Sequence, residues 1–470
     1  MDMLEHVFLV LLNLANAFFL VNSIRLYILC FLSRKYDKKI KEFFRPNHEL
    51  LSRRPFVSIM IPTYNERNVV DRILEACINI DYDNFEVVVV DDSTDDTVRI
   101  LRRWAKHPKV KVIHREHRTG WKGGALDEGL KHLDPRSEFV LIFDADFIPP
   151  KDIIKRMLSR FARDEIAAVQ GYHLAILNAD ENWVTRAGRM VLTYAYAIDY
   201  PARFAFGGAP QLGGSVMMIK RKVLEEVGGF GTSITEDYDL ALRLYIRGYR
   251  IFYDESIKVP CECPSTLRRF IKQQCRWVEG RARDFRRRLK DILRSDKLSL
   301  VQKLDMIMDG ITNFSALMVL VWGVVTLVSW IMGISTSAIV AIVVSPSDPW
   351  SWAQFSLLIF SGASYPLAHF MALKKEGVEQ GSTKKWIAAS LVVMYLLLPF
   401  LMLASLRGAF VSTGYFHRTY KTGKILMRKM LKPPYWWKRG AIDVPYGYEE
   451  WLVKQPTLGA LGWPSLVKYL

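Results

Sequence analysis

Cysteine is scarce, with five in 470 residues: Cys30, Cys77, Cys261, Cys263 and Cys275. Their spacing implies no disulfide framework. Cys261-Glu262-Cys263 lacks both the spacing and the partner pair of a zinc site. Internal repeats and low-complexity runs are missing too. A secretory leader is not expected, because the first apolar stretch is preceded by Asp2 and Glu5 rather than by basic residues, and no clear small-residue cleavage site follows it. Acidic residues are outnumbered, 48 against 65 Lys and Arg, for a formal charge of +17. Such an excess suits nucleic acid, an anionic membrane surface or anionic substrates. Here the basic residues cluster beside apolar segments rather than in a separate module, which argues against nucleic acid.

Long apolar runs, by contrast, are plentiful. Val7 to Leu32, Ile311 to Val344 and Trp352 to Leu373 each reach the ~20 residues that cross a bilayer. Trp386 to Leu406 is equally apolar but contains Pro399. Arg34, Lys35, Lys38, Lys39 and Lys41 follow the first run, so the positive-inside rule puts the residues after it in the cytoplasm. An integral membrane protein with a cytoplasmic catalytic domain is expected. Its parts are a transmembrane helix over 1–33, a domain over 50–265, basic interfacial helices over 266–305, transmembrane or interfacial helices over 306–412, and a loop with a basic tail over 413–470.

Between residues 55 and 260, apolar runs alternate with amphipathic ones. Strands are expected at 56–62, 85–92, 110–116 and 139–146, and helices at 66–80, 94–107 and 123–133. Continuous apolar strands between helices indicate an α/β fold with a mostly parallel sheet covered on both faces. Ligands of such sheets bind beyond the carboxyl ends of the strands. Asp91 and Asp92 end one strand, and Asp144 and Asp146 end another, so both pairs fall on that edge.

Each cluster suggests a chemistry. Asp144-Ala145-Asp146 offers hard oxygen ligands for Mg²⁺ or Mn²⁺, whose other positions a diphosphate would fill. As a string it also reads as two solvated turn carboxylates. Asp91 or Asp92 suits a nucleoside, and Thr94 or Asp95 a helix cap. Lys122 before a glycine pair at a helix start suits a diphosphate. Glu236, Asp237 and Asp239 offer a carboxylate that takes a proton from an acceptor hydroxyl, or simply a helix start capped by Thr235. Gln273, Arg276 and Trp277 suit a sugar face and its oxygens, or an interfacial position beside lipid.

In order, "IPTYNE", "VVVVDDSTDDT", "RTGWKGGAL", "FDADFIP", "TED" and "QQCRW" resemble the membrane-bound family 2 glycosyltransferases, closest to the cellulose-synthase-like, mannan-synthase-like branch. The likeness runs from about residue 55 to 285 and extends to "FHRTYKTG" at 416–423. It implies a GT-A fold and inversion at the anomeric carbon. Pro62, Tyr64, Glu66, Asp91 or Asp92, and Lys122 would bind the donor, and Asp144 and Asp146 the metal. Asp237, beside Glu236, would be the general base. Gln273, Arg276 and Trp277 would line the acceptor and diphosphate site, and Arg418 and Lys421 would belong to a loop closing over the nucleotide. "KGGALD" at 122–127 departs from the related "KAGALN", and the segment at 207–220 is only partly like the family's acceptor segment.

The expected activity is hexosyl transfer from a UDP- or GDP-sugar to a growing polysaccharide. The alternative is single-sugar transfer to a lipid such as dolichyl phosphate or diacylglycerol, which a small membrane bundle favours; a catalytically silent scaffold is disfavoured by the intact charged positions. Membrane lipids are expected partners, and an oligomer is compatible with the sequence. The lysine-rich stretch 372–386 reads as cytoplasmic, so a crossing at 386–406 would carry Arg418 and Lys421 to the wrong side. The reading preferred here is that this segment lies in the membrane interface.

Overall fold

A computed structural model describes residues 3–43, 46–332, 349–377, 380–416 and 418–425. The chain begins with α1 (Met3–Ser33), α2 (Tyr36–Phe43) and α3 (His48–Arg53). The α/β body follows as β1 (Phe56–Thr63), α4 (Val70–Ile78), β2 (Phe85–Asp91), α5 (Thr97–Trp104), β3 (Val110–His114), α6 (Trp121–Leu130), β4 (Ser137–Ile142), α7 (Ile153–Leu158) and β5 (Ile166–Ala175). It continues with α8 (Trp183–Tyr194), a π-helical turn at Ala195–Asp199, α9 (Tyr200–Ala205), β6 (Met217–Lys220), α10 (Arg221–Glu226), α11 (Glu236–Ile246) and β7 (Arg250–Cys261). Then come α12 (Leu267–Arg294), α13 (Leu300–Thr312), α14 (Ser315–Ile331), α15 (Pro349–Glu376) and α16 (Gln380–Phe410).

One seven-stranded sheet runs in the order β3-β2-β1-β4-β6-β5-β7. β3, β2, β1 and β4 are mutually parallel, and β6 is antiparallel to both β4 and β5. The continuous apolar strands feed two cores. Val57, Ile59, Val87, Val89 and Leu141 point into one, and Met60, Val88, Val90, Val140 and Ile142 into the other. Period-two alternation with both faces buried is why these strands read as unbroken apolar runs.

Most element ends lie within a few residues of expectation, and one difference bears on the site: β4 ends at Ile142, so Asp144 and Asp146 sit on the loop beyond it. The chain leaves the sheet where the Asp144 N–H donates to Ser215 Oγ, and Pro149 and Pro150 have no N–H to continue a ladder. β2 and β4 are also not neighbours, because β1 lies between them.

Among the described residues, three helices are long and apolar enough to cross a membrane: His6–Ser33, Phe355–Glu376 and Trp386–Phe410. The expected run from Ile311 breaks instead. Leu300–Thr312 and Ser315–Ser329 meet at a 55° bend and make a fourth span only if taken as one; 333–344 lie outside the described residues. α16 continues through Pro399. Of the expected loop and tail at 413–470, only 413–416 and 418–425 are described.

Candidate active site

The carboxyl edge of the sheet is tied together first. Asp91, 1 % exposed, accepts from the Thr63 hydroxyl (2.7 Å) and the Ser93 N–H (3.2 Å), and its other oxygen meets His114 Nδ1 (2.9 Å). It thereby joins the ends of β1, β2 and β3. Asp92 takes both arms of Arg115, each at 2.6 Å. The Arg118 guanidinium lies 3.8 Å over the Tyr64 ring and 3.7 Å from Asp92.

Beyond this edge lies a cavity of about 170 Å³. Pro62, Tyr64, Glu66, Asp92, Lys122, Asp144, Asp146, Glu236, Asp237, Gln273, Arg276, Trp277, Arg418 and Lys421 all line it. Asp91 and Asp239 are the sequence-derived candidates that do not: Asp91 is spent on the strand ends beneath, so of the two nucleoside candidates Asp92 is the one on the wall, and Asp239 pairs with Arg243 and Arg288. Asp239 instead lines a wider groove of about 710 Å³ behind α11, with Arg243, Arg247 and Arg288, which gathers none of the cavity residues.

Lys122, in the first turn of α6, donates to Asp144 Oδ1 (2.7 Å) and Gly214 O (2.6 Å), with Glu236 Oε1 at 3.2 Å. Burial works against its ammonium, but Asp144 and Glu236 outweigh it and raise its pKa. Burial likewise opposes ionisation of Asp144, and Lys122 overcomes it, holding that carboxyl below its ordinary value. The Asp144 side chain is 39 % exposed and that of Asp146 2 %, so Asp144 is the accessible member of the pair. Asp146 Oδ2 meets Lys421 Nζ at 2.7 Å and accepts the Glu262 N–H at 3.0 Å.

The departure "KGGALD" has a physical cause. A Cβ on Gly123 would come 2.0 Å from the Gly231 carbonyl oxygen. Asp127 in turn accepts the N–H groups of Phe230 (2.6 Å) and Gly231 (2.9 Å). Both positions serve one close contact between α6 and the glycine turn that leads into α11.

α11 opens with the two candidate catalytic acids. Glu236 is buried, and burial with Asp237 alongside pushes its pKa up to about 7, against the pull of Lys122. Asp237 accepts the Tyr238 N–H (2.9 Å) and faces Gly214, where an added Cβ would come 2.9 Å from Asp237 Oδ2. Gly214 has φ +78°, a conformation that glycine adopts without strain. Thr235 does not cap α11 as expected. Its hydroxyl donates instead to Asp284 on α12 (2.7 Å), as does that of Ser233 (2.6 Å).

α12 thus sets the acid loop from behind while carrying Gln273, Arg276 and Trp277 to the cavity. Arg276 donates to Ile234 O (3.2 Å) and lies 4.2 Å over Phe416. Its Nε is buried without a hydrogen-bond partner among the described residues, a donor left for a ligand. Asp284 is also buried, and desolvation raises its pKa to about 7. The stability it contributes is full below its ordinary range near 4 and is lost as pH rises through about 7. Each pKa unit of that rise costs about 1.4 kcal/mol once the group ionises. Asp284→Asn therefore melts at a higher temperature than the parent at pH 8, and the gap closes toward pH 5, as paired thermal melts would show.

The strap after α16 closes the cavity. Arg418 makes a two-pronged pair with Glu66 (2.8 Å each), Lys421 holds Asp146, and the Thr422 N–H donates to Glu262 (2.9 Å). Arg118, offered by the sequence beside Lys122 in the loop at 117–126, lines the cavity too, whereas His173 and Glu262 were not foreseen. His173 hydrogen-bonds Ser215 O through Nε2 (2.7 Å) and Tyr196 Oη through Nδ1 (2.8 Å). Burial lowers its pKa to about 4, so it is neutral there. Neither His173 nor Glu262 carries a local signal, because each is defined by partners far away in the chain.

The family described as "Glycosyltransferase like family 2" matches residues 54–280. Glucomannan 4-beta-mannosyltransferase 1 of Oryza sativa subsp. japonica is 34 % identical over 264 residues, 54 % of this chain and 50 % of that protein. Glucomannan 4-beta-mannosyltransferase 2 of Arabidopsis thaliana is 34 % identical over 284 residues, 57 % of this chain and 53 % of its own. The chain spans about half the length of these curated relatives. Among solved structures, the mannosyltransferase PcManGT from Pyrobaculum calidifontis, in complex with GDP-Man and Mn²⁺, superposes with a TM-score of 0.55 at 20 % identity, covering 87 % of this chain and 99 % of that one. Residues 54–280 thus match the family 2 glycosyltransferase model, the chain is similar there to glucomannan 4-beta-mannosyltransferases, and its fold is GT-A-like.

Proposed function

We propose that the chain transfers a hexosyl group, with inversion, from a nucleoside-diphosphate sugar to a growing polysaccharide at the cytoplasmic face of a membrane. The observation that carries this is the single cavity at the sheet edge. It joins the Asp237 carboxylate, the Lys122 ammonium, the Asp144 and Asp146 carboxylates and the Gln273–Trp277 face. The names of the 34 %-identical relatives make a mannosyl donor the first to test.

In this reading the nucleoside lies against Tyr64 and Asp92. Asp237 takes the proton of the acceptor hydroxyl as that oxygen attacks the anomeric carbon from the face opposite the diphosphate. The new glycosidic bond forms, the bond from carbon to phosphate oxygen breaks, and nucleoside diphosphate leaves. Lys122 and the orphan Arg276 donor meet the charge that develops on it. Asp144 and Asp146 are suited to hold Mg²⁺ or Mn²⁺: both offer hard oxygen, and each already faces an ammonium. Two carboxylates leave the other positions to phosphate and water. Bound there, the cation would neutralise the departing diphosphate.

At about 170 Å³ the strapped cavity is smaller than the ~300–1,000 Å³ of typical ligand pockets. Donor entry therefore lifts the strap, and Lys421 exchanges Asp146 for phosphate. The test is to give purified, lipid-reconstituted protein radiolabelled GDP- and UDP-hexoses with Mg²⁺ or Mn²⁺ and to size the product. A long, solvent-insoluble chain from one donor is expected. A short product that extracts into organic solvent would replace the polymer by a lipid acceptor.

A further inference from the structure

Three residues of α12 lie on one ridge of that helix and all meet the loop that leads into α11. Arg276, Gly280 and Asp284 recur every four residues and so share a face. Arg276 donates to Ile234 O (3.2 Å). A Cβ on Gly280 would come 2.4 Å from Thr235 Oγ1, so the backbone of α12 lies against that side chain. Asp284 Oδ2 accepts from both the Ser233 hydroxyl (2.6 Å) and the Thr235 hydroxyl (2.7 Å). Ser233 Oγ also accepts the Thr235 N–H (3.1 Å), which closes the turn on itself.

The start of α11 is thus fixed from outside the helix. A threonine in this place ordinarily caps by accepting an N–H two or three residues on. Thr235 makes no such bond, and its hydroxyl goes to a residue 49 positions away. Upstream, the loop is held by other elements: Arg243 of α11 donates to the carbonyls of Val227, Gly229 and Phe230, and Asp127 of α6 accepts from Phe230 and Gly231. Glu236 and Asp237 are the first two residues of α11, so a shift of 233–235 moves both. Among the described residues, the side-chain hydrogen bond of Asp237 is the one from its neighbour Tyr238 N–H, which moves with the same backbone.

Stability does not account for an acid at 284. It is 1 % exposed, its hydrogen bonds are those two hydroxyls, and no ion pair reaches it among the described residues. Burial, with the like charge of Asp239 on α11, outweighs the two hydroxyls and Arg287 of α12 and raises its pKa to about 7. An apolar residue of the same size would avoid that desolvation. It could not hold two hydroxyls.

We infer that Asp284 is a positioning residue for sugar transfer: from α12 it holds Ser233 and Thr235, and so sets where the Asp237 carboxylate meets the acceptor hydroxyl. The inference rests on the reading of Asp237 as the base. The helix that carries Gln273, Arg276 and Trp277 to the cavity is then also the helix that places the base, and the two sides of the cavity share one frame.

Single-turnover transfer by the full chain in lipid vesicles tests it, at pH 6 where residue 284 is neutral. Asp284→Leu keeps the volume and removes the acceptor oxygen. Expected is a fall of about 10–100-fold in the transfer rate, the cost of roughly 1 Å of misplacement, with donor affinity by calorimetry unchanged. Asp284→Asn offers the same acceptor as the neutral acid and keeps the parental rate. Ser233→Ala with Thr235→Val reproduces the loss, and adding Asp284→Leu to that pair lowers the rate no further, as members of one network do. Thermal melts establish that each variant folds. Should Asp284→Leu not fold, the Ser233→Ala/Thr235→Val protein carries the same comparison with Asp284→Asn. Parental transfer in the folded Asp284→Leu or Ser233→Ala/Thr235→Val protein would overturn the inference. So would a loss in Asp284→Asn as large as theirs, losses that add in full, or weakened donor affinity with the transfer rate intact. No transfer by the parent from any donor is a different result: it would overturn the hexosyl-transfer reading, and the inference with it.

Discussion

Asp237→Asn lowers sugar transfer by about a hundred- to ten-thousand-fold, the usual worth of a general acid or base, while nucleoside diphosphate still binds. Glu236 and Asp237 are adjacent, and their surroundings divide the roles. Glu236 is 2 % exposed, paired with Lys122, and titrates near pH 7. Asp237 spends one oxygen on the Tyr238 N–H and turns the other toward Gly214, where only a glycine leaves room. That is the carboxylate an acceptor hydroxyl can reach. Asparagine keeps the shape and loses the basicity, so binding measured by calorimetry should survive. Parental turnover in Asp237→Asn would remove it from the mechanism.

Asp146→Ala abolishes the metal-dependent part of nucleotide affinity. The expected loss is at least about 10–100-fold, since even residues that only orient metal ligands are worth that much. Asp146 is nearly buried and holds Lys421, so its loss also frees the strap. Arg418→Ala separates the two effects. It breaks the pair with Glu66 and loosens the strap while both metal carboxylates stay in place. Nucleotide titrations with and without Mn²⁺ should show the metal increment intact in Arg418→Ala and missing in Asp146→Ala. An intact increment in Asp146→Ala would contradict the assignment.

Much of this site is legible in the sequence because its parts obey local rules. β1, β2 and β4 announce themselves as apolar runs, and the parallel arrangement puts their polar ends on one edge. The acids at 236 and 237 and the basic string at 273–277 each open or ride a helix of clear pattern. Other features are tertiary. β6 has four residues and an antiparallel direction set by pairing with β4 and β5, which no period reveals. Asp91 and Asp92 look alike in sequence, and only the approach of His114 and Arg115 from β3 and the loop after it decides which faces the cavity. Glu262 sits between two buried cysteines and gains its role from Arg72 and Thr422, 190 and 160 residues away. Pro399 looked like an interruption, yet α16 passes through it.

The most direct measurement is release of nucleoside diphosphate by reconstituted protein across a panel of UDP- and GDP-hexoses, with Mn²⁺ and after chelation, for the parent and Asp237→Asn. One donor should be consumed, only with metal and only by the parent. Release from none of them, or release that survives both chelation and Asp237→Asn, would contradict hexosyl transfer at this cavity.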